Sequence, residues 1–296
     1  MSKRSFRLGL VGLVATLGIV AAACAPMAPG GGPAPVNWSF KATQITSNDS
    51  QDEVREPFFG NCIAIPNCND EAYLIQVAFR VKIGQPGSAQ AFVVTGDKIN
   101  GLSEGETRAL SGGQQATVNF PGVAPLDVLD ALNPSNKLEI VGTYTWAAEE
   151  DTINSLSGGA NSVASIFTTA LNGTLANATV PSDANAVVNL VLDALFDNFN
   201  TPFNLIVSNI PCLGLCDDVL GGSLHVGIGA TGTLASAIDS VLASTTIPTI
   251  NIPVVDIPPD IQGGGIYTLG GVRNFTQQYS GADGRHTYTL QSGPAA

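Results

Sequence analysis

Apolar and polar residues alternate most cleanly over Tyr73–Ile83, YLIQVAFRVKI. Tyr73, Ile75, Val77, Phe79, Val81 and Ile83 fall on one side of an extended chain, and Leu74, Gln76, Ala78, Arg80 and Lys82 on the other. Successive side chains of a strand point to opposite faces, so this period of two predicts a β-strand with one apolar and one mostly polar side. At about 3.3 Å per residue it spans about 36 Å, enough for the spine of a sheet. Lys137–Ala147 repeats the pattern, with Leu138, Ile140, Gly142, Tyr144 and Trp146 opposing Glu139, Val141, Thr143 and Thr145. Shorter alternations predict strands at Asn37–Thr46, Ala91–Thr95, Ala116–Phe120, Gly265–Phe275 and His286–Gln291. The last two are expected to join through the Gly-Ala-Asp-Gly turn at 281–284.

After Glu149-Glu150-Asp151 the period changes. Residues 152–176 predict a helix interrupted at Gly158-Gly159. Ser182 is placed to cap a second, Asp183–Phe199, whose Val187, Val188, Val191, Leu192 and Leu195 recur at helical spacing. Gly232–Ala243 predicts a third, and Pro125–Leu132 a short one with proline at its first position. Ile247–Ile261 is extended and punctuated by prolines, which bars it from the middle of a sheet. Strands, helices and strands in that order predict an α+β fold: a mainly antiparallel β-sandwich, residues 37–147 and 262–296, with a helical insertion at 148–261 that ends in the proline-rich return.

The start of the chain is of another kind. A basic stretch, MSKRSFR, precedes the apolar run Leu8–Ala22, and Ala21-Ala22-Ala23-Cys24 follows. Fifteen apolar residues are too few to span a bilayer and suit the core of a signal peptide, here residues 1–23. Residues 24–36, rich in proline and glycine, read as a tether. Small residues before a cysteine resemble the lipobox of bacterial lipoproteins, which implies that Cys24 is diacylated and becomes the N-terminus. The alternative is an ordinary secretory signal cleaved after Ala23 or Ala25.

Charge narrows the partners. The formal net charge is −12. Removing Lys3, Arg4 and Arg7 with the signal leaves 9 of the 12 basic side chains against all 24 acidic ones, a net of −15. Such a chain repels polyphosphate, which excludes nucleic acid as a partner, and it has no electrostatic pull towards an anionic bilayer. Between Lys137 and Arg273 there is no lysine or arginine, and Thr152–Ser182 carries no charge at all. That stretch reads as helices packed on the sandwich with Ser, Thr and Asn as their polar surface, or as an apolar groove for a lipid or a protein partner.

Four cysteines remain beyond Cys24: Cys62, Cys68, Cys212 and Cys216. An even number in an exported chain predicts two disulfides, of which the local pairs are the simplest of three connectivities. Neither spacing is the CxxC of a zinc site. Leu110-Ser111-Gly112-Gly113-Gln114 spells the signature of transporter ATPases, but no phosphate loop GxxxxGK[ST] is present, so no nucleotide is expected. There is no HExxH, and of the two histidines His286 shares a strand face with Tyr288 and Leu290, while His225 sits in the glycine-rich run GGSLHVGIG. The acidic loop around Cys62 and Cys68 offers the hard oxygen donors that Ca²⁺ takes, with Asp49, Asp52, Asp70 and Glu71 as the candidate ligands. Its spacing is not that of an EF-hand. No other cofactor is expected.

The lipobox-like start and the segment Asp70-Glu71-Ala72-Tyr73-Leu74-Ile75, continuing through Phe79-Arg80-Val81 to Gly84-Gln85-Pro86-Gly87-Ser88, resemble exported lipoproteins of high-GC Gram-positive bacteria with no assigned chemistry. The resemblance covers about 50 residues and implies an address, the extracytoplasmic face of the membrane or the cell surface, and no catalytic residues. The expectation is a non-catalytic, lipid-anchored envelope protein that binds a ligand or partner through the sandwich and its helical insert. The alternatives are an envelope hydrolase working through paired carboxylates and a structural surface protein.

Overall fold

The computed structural model describes residues 34–50, 70–149, 156–179, 181, 183–197, 218–245, 260–281 and 284–295. One sheet is built on β1 (Val36–Ser50), which pairs antiparallel along its length with β11 (Gly284–Pro294). β10 (Arg273–Ser280) lies on the outer side of β11, and β5 (Thr107–Ala109) and β6 (Val118–Val123) share the other side of β1. The second sheet runs in the order β3 (Gln90–Thr95), β2 (Asp70–Lys82), β7 (Glu139–Glu149), β8 (Asp218–Ile228), β9 (Ile261–Thr268), with β4 (Ile99–Leu102) also on β2. Among the named strands the pairings are antiparallel apart from β8 with β9.

The two sheets pack face to face and the helices cover the outer face of the second, so the fold is α+β with a β-sandwich at its centre. Tyr73, Ile75, Val77, Phe79 and Val81 of β2 point at the helices, whereas Ala72, Leu74 and Ala78 point at the first sheet and meet Trp38, Phe40, Tyr288 and Leu290. Both faces of the spine strand are therefore buried, a correction to the half-exposed strand that alternation predicts. Gln76 on the second face is as buried as its neighbours and accepts a hydrogen bond of 2.6 Å from Thr145 Oγ1.

Helix α2 (Leu156–Gly173) shows why an uncharged segment folds here. Leu156, Gly159, Ala160, Val163, Ala164, Phe167 and Leu171 form one buried stripe, and Phe167 stacks on Phe79 with ring centroids 4.9 Å apart. On the outer side the hydroxyls of Ser162, Thr168 and Thr169 bond carbonyls four residues back, at 3.0–3.1 Å. The helix is continuous through Gly158-Gly159, where an interruption is expected, because Gly159 faces the sheet and the stripe carries through it. Among the described residues no helix is long and apolar enough to cross a membrane.

Three other expectations change. Segment 148–261 is not wholly a helical insertion: β8 lies within it, inside the second sheet between β7 and β9. Its Leu224, Val226 and Ile228 face the helices, and Ser223 and His225 are buried on the other side. Gly265–Phe275 is two strands rather than one, because the chain turns at 269–272 and passes from the second sheet to the first. Finally, α3 (Ala184–Leu192) is capped by Asp183, whose carboxylate accepts from Ala186 N at 2.9 Å, and it runs into a π-helical turn at Asp193–Asp197.

Polar ties cross the sandwich. Ser292 Oγ of β11 accepts from Trp38 Nε1 of β1 and from Tyr267 OH of β9, both at 2.8 Å. Tyr279 OH of β10 and Ser223 Oγ of β8 share a hydrogen bond of 2.6 Å. A buried pair of this kind fixes how two sheets sit on each other, because losing either partner strands a polar group away from water.

Candidate ligand-binding cleft

Beside the end of β7 lies a cleft of about 270 Å³. Its structure starts with Asp127. The carboxylate accepts from Val128 N at 2.7 Å and caps α1 (Val128–Ala131), while Asp127 N donates to Asp130 Oδ2 at 3.2 Å, completing a capping box. The cap is thus Asp127, and Pro125 stands outside the helix rather than at its first position. The same Oδ1 also accepts from Thr233 N and Thr233 Oγ1, at 3.1 and 3.0 Å. Those groups open α4 (Gly232–Leu242), so one carboxylate holds the N-termini of two helices. Hydrogen bonds from Val128 N and then from the Thr233 hydroxyl, with smaller help from the Leu234 and Thr233 amides, hold the Asp127 carboxyl below the usual carboxylate range. Leu126 N donates to Gly229 O, and Thr231 N to Leu126 O, at 2.9 and 2.8 Å, stapling α1 to the chain between β8 and α4.

Leu126, Leu138 and Val187, all buried, make the floor of the cleft, and Leu234 of α4 closes one side. Val128 and Leu132 form the rim; Leu132 is 75 % exposed, and its neighbour Leu129 is 71 % exposed. α1 and its C-terminal cap turn Val128, Leu129 and Leu132 to solvent, three of the five exposed large apolar side chains among the described residues. Leu126 and Asn136 also line a second, smaller depression with Lys82, Lys137 and Glu139, so the two hollows are neighbours with two wall residues in common. Pattern alone places PLDVLDAL on a short helix. It does not show that the apolar side of that helix stays uncovered by the other described residues.

Of the calcium candidates, Asp52 lies outside the described residues. Asp49 is near the end of β1, opposite Arg285 in the first sheet; Asp70 and Glu71 open β2 in the second, with Asp70 opposite Leu102. Among the described residues no group of three or more His, Cys, Asp and Glu side chains is arranged to hold a metal ion. Cys24, Cys62, Cys68, Cys212 and Cys216 lie outside the described residues, as do residues 1–23, expected to be a signal peptide, and most of the segment 24–36 expected to be a tether. Leu110–Gln114 is a turn: Ser111 precedes the 3₁₀ turn Gly112–Gln115, at the end of which Ala116 takes a left-handed φ of 45°.

Both histidines are sealed in the sandwich. His225 lies between Phe40 and Phe275, with ring centroids at 5.1 and 4.8 Å, and Ser223 Oγ is 3.4 Å from its Nδ1. Burial pushes its pKa down to about 3, so the imidazole is neutral. The pair resembles a nucleophile and base only on paper, since no substrate reaches a serine buried between two sheets. His286 packs edge-on against Tyr288, as its strand position predicts.

Compared with protein-family models, with curated proteins and with solved structures, the chain matches none.

Proposed function

We propose that this chain is an exported, lipid-anchored protein of the cell envelope that binds an apolar ligand without transforming it, in the cleft between α1, α3 and α4. The observation that carries the reading is the uncovered apolar rim of α1 over an apolar floor. Small-molecule sites are mostly apolar hollows with a few placed polar groups, and here Asn136 and Asp183 supply these at the edge. The volume lies just below the usual range of about 300–1,000 Å³, which suits one acyl chain or a slim hydrocarbon rather than a bulky ring system. Diacylation at Cys24 would hold the sandwich at the membrane through a proline-rich spacer, within reach of envelope lipids.

The test uses the whole chain carrying Cys24→Ser, so that it is released in soluble form. Titrated with the neutral fluorophore N-phenyl-1-naphthylamine, it should show a saturable rise in emission that Leu132→Asp removes while leaving the melting temperature within a few degrees. Emission that never saturates, or that Leu132→Asp leaves unchanged, would remove the cleft from the account.

A further inference from the structure

Beside the apolar cleft, across the shared residues Leu126 and Asn136, lies a depression of about 180 Å³ that carries two lysines. We infer that the ligand is an amphiphile with one hydrocarbon chain and an anionic head, the chain in the apolar cleft and the head between Lys82 and Lys137. This rests on the binding reading above and names its ligand class.

The register of the second sheet brings the charges together. Lys82 pairs with Glu139 across β2 and β7, and Lys137 precedes Glu139 by two residues. Among the described residues Glu139 is the one acidic residue lining the depression, and it is already engaged: its Oε1 accepts from Arg80 Nε at 2.7 Å and from Arg80 Nη2. Arg80 gives its remaining arm to Pro121 O at 3.0 Å. Among the described residues no ion pair involves Lys82 or Lys137. Three cations thus meet one carboxylate in a chain whose net charge is −12, and the two lysines stand half-buried beside an apolar hollow. Charge left uncompensated in this way, in an otherwise acidic protein, is complementary to an anion. A head group alone has few contacts there, and a hydrocarbon alone makes no use of the lysines; an amphiphile satisfies both. A carboxylate and a phosphate monoester share the chemistry, the first from a fatty acid and the second from a single-chain phospholipid.

Displacement of the bound fluorophore from the Cys24→Ser chain decides it, with dodecanoate, dodecyl phosphate, dodecanol and inorganic phosphate as probes. At least one anionic amphiphile should displace at a concentration about tenfold or more below that of dodecanol, as expected for hydrogen bonds to charged groups. Whichever of the two is preferred identifies the head. Inorganic phosphate should displace nothing. The double variant Lys82→Gln with Lys137→Gln should abolish the preference and leave dodecanol unchanged. Equal displacement by the two dodecyl anions and dodecanol, or a preference that survives the double variant, would overturn the anionic head and leave the apolar cleft standing. A chain that binds the fluorophore but none of the dodecyl compounds would overturn the amphiphile itself. Failure to bind the fluorophore would remove both readings together.

Discussion

The ring of Phe79 lies over the bare α-carbon of Gly142, its register partner on β7. A β-carbon built on that glycine would stand 2.4 Å from Phe79 Cζ. The vacancy lets Phe79 lie close against the sheet and stack on Phe167 of α2, so this pair sets how closely the helix approaches its sheet.

Phe79→Ala should cost about 3–5 kcal/mol in denaturant unfolding, the range for removing a buried aromatic ring. Gly142→Ala should cost about 1–3 kcal/mol by overpacking against Phe79 and against the His225 carbonyl oxygen, 2.7 Å from the new β-carbon. Because the two act on one space, the double variant should lose less than the sum of the single losses. Strict additivity would mean that the contact is not what limits residue 142.

His225 makes stability depend on pH. Its folded pKa of about 3 lies below the ordinary histidine value near 6.5, so between these limits the unfolded chain binds a proton that the folded chain does not. Stability then rises with pH across that window and its histidine contribution levels off above about 6.5. Going from pH 7 to pH 5 should cost about 2 kcal/mol from this group alone. His225→Phe, which keeps a ring between Phe40 and Phe275, should flatten the slope between pH 7 and 5. An unchanged slope would assign the titration elsewhere.

Asp127 is the joint of the cleft, and its replacement should be felt in binding as well as in melting temperature. Asp127→Ala removes the acceptor for both α1 and α4 and should weaken fluorophore binding, whereas Asp127→Asn keeps an acceptor oxygen and should retain most of it. The depressed carboxyl pKa works in the opposite sense to that of a partnered base. Its contribution is present above the unfolded value of 3.8 and is lost as pH falls through the lower folded value. A cleft that binds equally well with alanine at 127 would mean that α1 is held by the Leu126 backbone bonds alone.

Cys24→Ser should move the protein from the membrane fraction to the medium, read by fractionation of cells that export it. Retention in the membrane fraction would mean that something other than an acyl anchor holds it there.

Local pattern was enough for much of the architecture. The alternation at Tyr73–Ile83 and Lys137–Ala147 identifies β2 and β7, and the spacing of Val187, Val188 and Val191 identifies α3, because side-chain direction in a strand or helix follows from the backbone period alone. The glycine-rich GGSLHVGIG hides β8 for the opposite reason. Its Leu224, Val226 and Ile228 alternate properly, but its glycines carry no side chain to extend the pattern, and their place in a strand becomes clear only when β7 and β9 pack on either side. Burial of both faces of β2 was equally out of reach, since Ala78 and Gln76 gain their neighbours from β1, β7 and β11, remote in the chain.

The cleft shows the same division. The sequence places Val128, Leu129 and Leu132 on or beside a short helix, yet whether a helix covers its apolar side depends on what docks against it, and among the described residues nothing covers these three. Lys82 and Lys137 lie 55 positions apart, and only the β2–β7 register carries them to one hollow while Arg80 occupies the carboxylate between them. Backbone periodicity is a local property and can be read along the chain; exposure and charge pairing are relations between distant residues, and only folding brings those residues together.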